Sequence, residues 1–441
     1  MKKRILITAI ALILTIFLSG CEMVSFNVSE LMAPPKATGE NADIQALIED
    51  EAGSGYTLKY PKNGNYRSAI TLMDYDGDAK DEAVAFYVPA GDAQTVHMLV
   101  MDQVKGEWKT VGNFTSKSSI VERLVFCDLD GDNKREIVVG WSTYNPLVND
   151  LSVYLVNEST SLEISSENKY TDFLCGKYTG TEKDELLLLS LYTPDKPASA
   201  SLIALNDTKN SLYLKGESPL DTEIASFIQL QNGNIFDGQF GAVIDGETAD
   251  GRFSTQLIYF SSYFESLETV IFTGNTTTNQ SYRNYAVLSE DIDNDGIIEI
   301  PNTFKMNIDD TQTDAVPAPL IHWCEYTNLD IARIDKLQAT SLVYGCRFTI
   351  PDNWNNNYTA VVNYSTNEIT FYEWKAEGKT GDPLLVIKMF SPEVWGDGTS
   401  ANGYTELARN ETYVYSFITF ETNSSILPTN EEIIASFSLT N

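Results

Sequence analysis

The chain has 441 residues, 30 Lys and Arg against 62 Asp and Glu, and a net charge of -32. So acidic a protein disfavours nucleic acid and anionic lipid surfaces as partners and favours cations. No basic stripe with interleaved aromatics interrupts the pattern.

The first residues, MKKR, are basic, and an apolar run from Ile5 to Leu18 follows, closed by Ser19, Gly20 and Cys21. That order reads as a secretory signal over residues 1–20. The run's 14 residues fall short of the roughly 20 that span a bilayer. The "LSGC" stretch resembles the lipobox of bacterial lipoproteins. The resemblance implies lipidation of Cys21, which becomes the mature N-terminus, and a protein anchored on the extracytoplasmic face of the cell membrane. An ordinary signal with a chance cysteine is the simpler alternative. The segment 21–55 reads as a tether with Pro34 and Pro35, then a short helix from Asn41 to Glu51 with Ile44, Leu47 and Ile48 on one face.

From Tyr56 the pattern becomes one of strands, and an acidic motif recurs. "DYDGDAKDE" begins at Asp74, "DLDGDNKRE" at Asp128 and "DIDNDGIIE" at Asp291. A degenerate copy, "KYTGTEKDE", starts at Lys177, with Lys177, Thr179 and Thr181 in place of carboxylates. A missing copy falls near 231–238, where "QNGNIFDG" precedes the strand-like "FGAVID". Around each copy the sequence reads as four short strands in about 50 residues, the pattern of a propeller blade. The expected architecture is mainly β: a β-propeller-like domain of about five four-stranded repeats over 56–341, plus a small C-terminal α+β domain over 342–441. A sixth blade completed by a strand at Tyr56–Tyr60 is the alternative count.

The motif has a chemical reading. Carboxylates fall at positions 1, 3, 5 and 9 of each full copy: Asp74, Asp76, Asp78 and Glu82; Asp128, Asp130, Asp132 and Glu136; Asp291, Asp293, Asp295 and Glu299. Alternate residues of a tight loop turn their oxygens toward one centre, which suits Ca2+ and its six to eight hard oxygen ligands. Glycine at position 4 or 6 (Gly77, Gly131, Gly296) allows the left-handed turn that wraps a cation. An EF-hand requires Glu at position 12 and a following helix. Position 12 here is Ala85, Val139 or Asn302, within β-rich sequence. The loops and their repeat length resemble the FG-GAP/VCBS calcium-binding propeller repeats found in integrin heads and bacterial surface proteins. The resemblance covers about two-thirds of the chain, and it implies that those twelve carboxylates are calcium ligands.

Four further cysteines, Cys127, Cys175, Cys324 and Cys346, include no CxxC pair. Cys127 and Cys175 sit just before the acidic loop in successive repeats. They read either as a disulfide or as two small buried hydrophobes, and Cys324 with Cys346 leaves the same alternatives.

The C-terminal stretch "CRFTIPDNW" and a helix capped by Thr429 or Asn430 resemble PsbP/Mog1-type antiparallel sheet domains. This stretch is expected to fold independently. Trp354, Trp374 and Trp395 are its candidates for a surface patch, with Trp354 better placed in a core.

No GxSxG, HExxH or P-loop occurs, and His97 and His322 lie in apolar strands. The expected function is a non-catalytic lipoprotein scaffold that binds an envelope protein or glycan. The alternative is an extracellular polysaccharide-acting hydrolase, built on a carboxylate pair brought together by the fold.

Overall fold

The computed structural model describes residues 39–440, except 93–94, 117, 143–144, 237, 272–280, 310–314, 327–331, 376–377, 397–402 and 423. The signal-like segment, Cys21 and the tether lie outside the described residues.

The molecule is mainly β, and antiparallel sheets follow one another along the chain. Near-continuous apolar runs give the central strands two buried faces, one for each neighbouring layer. Glu82–Val88, Glu136–Ser142 and Glu185–Ser190 are buried at every position.

Unit one consists of Ile70–Met73, Glu82–Val88, His97–Val104 and Glu107–Thr115. Thr57–Lys59 lies end to end with Ile70–Met73 on the same edge of Glu82–Val88. It therefore lengthens the first strand of unit one and begins no sixth blade. Units two and three repeat the plan over 120–165 and 172–219.

Unit four departs from it. Ile224–Phe236 and Gln239–Thr248 meet in a tight hairpin, so the missing acidic loop is replaced by a direct turn between longer strands. Unit five departs differently. Its first strand shrinks to a bridge between Glu290 and Glu299. The preceding segment is held instead by a buried ion pair, Arg283 Nη2 to Asp245 Oδ1 at 2.8 Å, both side chains 0% exposed. Arg283 also donates to Val287 O, Ser281 O and Thr255 Oγ1, and Asp245 accepts from Ser289 N–H. A charge taken from water needs this degree of pairing.

Hydrophobic clusters join the units in series. One lies between units one and two (Val84, Phe86, Leu124, Trp141), one between two and three, one between three and four, and one between four and five. Among the described residues no cluster joins unit five to unit one. The other face of unit one is covered by the helix Glu40–Ala52, whose Ile44 and Ile48 pack on Ala83, Ala85 and Tyr87. This covers an end that would otherwise expose a sheet face. The Cys127 and Cys175 sulfurs pair between units two and three, whereas Cys324 and Cys346 are free and buried.

The expected boundary at 341–342 falls inside one sheet. Cys346–Thr349 pairs with Ala332–Ser341, and the terminal strand Phe437–Leu439 pairs with Cys346–Thr349. In return Val316–Pro317 joins the six-stranded C-terminal sheet through Tyr358–Asn363. A single cluster then spans both, including Ala339, Phe348, Trp354, Phe371 and Phe417. The helix Asn430–Ser436 is capped by Thr429, one of the two expected residues, as a full capping box with Glu432. Trp354 and Trp395 are buried and Trp374 is half-buried, so two of the three tryptophans serve packing.

Candidate metal centres

Each full acidic loop closes on the same hydrogen bonds. The position-1 carboxylate accepts from the N–H at position 4, position 6 or both: Gly77 and Ala79 onto Asp74, Gly131 and Asn133 onto Asp128, Gly296 onto Asp291. Position 3 accepts from position 5, and position 5 from position 7, in all three loops at 2.8–3.1 Å. Positions 4 and 6 are both left-handed: Gly77 and Ala79, Gly131 and Asn133, Asn294 and Gly296. The sequence pattern singled out only the glycine of each pair.

The position-9 glutamate opens the following strand from inside the protein. Glu82, Glu136 and Glu299 are 1%, 7% and 0% exposed. Each accepts the position-2 N–H on one oxygen, from Tyr75 at 2.9 Å, Leu129 at 2.7 Å and Ile292 at 2.7 Å. Burial, with the neighbouring aspartates as a smaller cause, pushes these carboxyls up to about 7, about 8 and about 7. The second oxygens of Glu82 and Glu299, and Oδ1 of Asp291, are buried without a hydrogen-bond partner. An unpartnered buried carboxylate oxygen is costly unless a cation meets it.

The oxygens that converge within 4.8 Å are those of Asp74, Asp76, Asp78 and Glu82 in the first loop, Asp128, Asp130 and Glu136 in the second, and Asp291, Asp293 and Asp295 in the last. Asp132 and Glu299 lie outside these sets. Ten of the twelve expected residues therefore group together, in sets that suit a hard cation.

The degenerate loop retains a position-9 glutamate, Glu185, 1% exposed. It is hard to see in the sequence because Lys177, Thr179 and Thr181 stand at positions 1, 3 and 5 of this copy. Its Oε1 accepts from Lys215 Nζ at 3.0 Å and from Thr179 Oγ1. No spacing rule links Lys215 to this loop, since it lies on the fourth strand of the unit.

The loops also tie the units together. The position-8 N–H donates to the loop or hairpin of the preceding unit: Arg135 to Tyr75 O, Asp184 to Asp128 O, and Ile298 to Asn234 O. Order in one loop is thereby transmitted to its neighbour.

Away from the loops, Glu122 and Asp172 form the most conspicuous buried carboxylate arrangement. Glu122 accepts from Tyr170 Oη at 2.8 Å and Asn63 Nδ2 at 3.0 Å, and Asp172 pairs with Arg123 at 2.8 Å. These contacts bind units one, two and three together and use the oxygens that a hydrolytic pair would need free. His97 stacks on Tyr87 and His322 lies against Phe304, which are packing roles.

No family model matches the chain, and no curated protein matches it. Solved structures with similar arrangements include a Lactobacillus plantarum protein (8% identity, 72% of this chain and 84% of that one, TM-score 0.27). The Dos1 propeller is another (10%, 83% and 81%, TM-score 0.28). A third is a 6-phosphogluconolactonase-like protein of Bacteroides fragilis NCTC 9343 (14%, 75% and 93%, TM-score 0.28). Similarity at this level carries no functional argument, and the fold rests on the sheets described above.

Proposed function

We propose that the protein is a calcium-stabilised, propeller-like scaffold, held by a lipid on Cys21 to the extracytoplasmic face of the cell membrane. It presents its surface to an envelope protein or glycan and performs no chemistry. The observation that carries the calcium reading is the buried Glu82, with one oxygen spent on the loop backbone and one unpartnered, together with the buried, unpartnered Oδ1 of Asp291 in the last loop. The aspartates beside them complete a set of hard oxygen donors, and calcium bound there would close the loop and cancel its repulsion. The lipid anchor rests on the LSGC stretch, and the scaffold role on the serial stacking of units with both carboxylates of the Glu122–Asp172 network committed to protein donors.

Two experiments test this. Cys21→Ser should abolish acyl labelling and release the protein from the membrane fraction; lipid-free, soluble wild type would refute the anchor. The fragment 39–441 on glycan and peptide arrays should capture ligand with calcium and lose it with EDTA. Turnover of an arrayed polysaccharide would favour the hydrolase instead.

A further inference from the structure

The acidic loops are not equivalent, and the difference lies in lysines. In the second loop, Lys209 Nζ contacts Asp130 and stands 3.8 Å from Asp132 Oδ2. Asp130 is buried there, its side chain 5% exposed. Lys209 comes from the next unit, at the tip of the hairpin between Ser199–Leu205 and Leu212–Pro219. Asp132 is also the one position-5 aspartate outside its loop's converging set, whereas Asp78 and Asp295 lie inside theirs. In the third loop, Lys215 Nζ reaches Glu185 Oε1 at 3.0 Å and Thr179 Oγ1 at 2.9 Å. The first and last loops also have lysines nearby, but placed differently. Lys80 meets Asp78 where both side chains are more than 40% exposed, and Lys336 stands 3.9 Å from Asp293. These two lysines leave the buried oxygens of Glu82, Asp291 and Glu299 unpartnered, while Glu136 and Glu185 have no such oxygen.

We infer that Lys209 and Lys215 are the resident cations of the second and third loops, so that divalent metal is confined to the first and last. The inference rests on the calcium reading above and sets its stoichiometry and location. An ammonium fixed to the chain loses less freedom on pairing than a metal drawn from solution, and it meets the same carboxylate charge. The middle of the array is then held together without metal. Unit one, which follows the N-terminal segment, and unit five, which shares strands with the C-terminal sheet, take their loop order from metal.

Calcium titration of the EDTA-treated full chain tests this by calorimetry. Wild type should take up two equivalents, and Lys209→Met should take up three, because the second loop regains its central site. Lys209→Gln provides the same test should the methionine variant fold poorly. Three equivalents in wild type, or two in both Lys209 variants, would overturn the inference and leave the calcium reading standing. No uptake at all would overturn both. Hydrogen exchange locates the effect: EDTA should raise exchange at 74–88, at 291–305 and at Arg135, whose N–H is held by Tyr75 O of the first loop, and leave the rest of 128–139 and 177–190 unchanged. A uniform rise would contradict it. For the third loop, Lys215→Met should lower the melting midpoint equally with calcium and with EDTA, and Glu185→Gln in that background should restore it. A midpoint that stays low in the double variant would show that Lys215 acts through packing and not as a cation.

Discussion

At the scale of single residues, the acidic loops set backbone strain against carboxylate burial. Position 6 is left-handed in each full loop, filled by Ala79, Asn133 and Gly296. Alanine is the poorest choice of the three, having neither glycine's freedom nor asparagine's local hydrogen bonds. Ala79→Gly should therefore raise stability by about 1 kcal/mol, read as a higher melting midpoint; a lower one would mean that the methyl group packs. The buried glutamates add a pH dependence to the metal-free protein. Their folded pKa values, about 7 to about 8, exceed the ordinary carboxyl value of 4.5. The folded state thus holds protons that the unfolded chain releases. The stability they contribute is fully present below about pH 4.5 and is lost as pH rises through 7 to 8. In EDTA the midpoint should fall between pH 5 and pH 8, and the triple substitution of Glu82, Glu136 and Glu299 by Gln should flatten that fall. An unaltered slope would show that other groups govern it.

At the scale of elements, the sequence was most legible where ligand residues and turn residues are neighbours in the chain. The D-x-D-x-D loops, the Thr429 capping box and the strands flanking each loop all depend on contacts within ten or so residues. Three features were hidden because they depend on distant partners. Lys209 and Lys215 reach their loops from a different hairpin. The tight turn of unit four reflects strands long enough to pair without a loop. The segment before the reduced first strand of unit five is held by Arg283, whose partner Asp245 lies 38 residues away. That pair makes a clear prediction. Arg283→Met removes one partner and leaves Asp245 buried and charged, which should cost about 3–5 kcal/mol in chemical denaturation; a loss under about 1 kcal/mol would show that water reaches the site. The C-terminal strands cross the expected boundary for a related reason, since strand exchange leaves no local mark. With Cys346–Thr349 and Phe437–Leu439 committed to unit five, the fragment 343–441 should not melt cooperatively alone. A cooperative melt insensitive to EDTA would restore the boundary at 341–342.

At the scale of the whole molecule, stability is distributed along a series of sheets, each covered by its neighbours, with the helix Glu40–Ala52 at one end and the C-terminal sheet at the other. Such arrays gain stability from unit-to-unit contacts, and the position-8 hydrogen bonds make each loop part of the next contact. Extracellular calcium modules bind with dissociation constants of roughly 10⁻⁴ to 10⁻³ M. At about ten times that constant one site contributes about 1.4 kcal/mol by mass action, and two contribute about 3 kcal/mol. That is a large part of a typical folding free energy of about 5–15 kcal/mol. The most direct test is the melting midpoint of the full chain in saturating calcium and in EDTA. The account predicts a midpoint several degrees lower in EDTA, with the difference reduced in Asp76→Asn and unchanged in Thr181→Ala. The same midpoint in both solutions would contradict it.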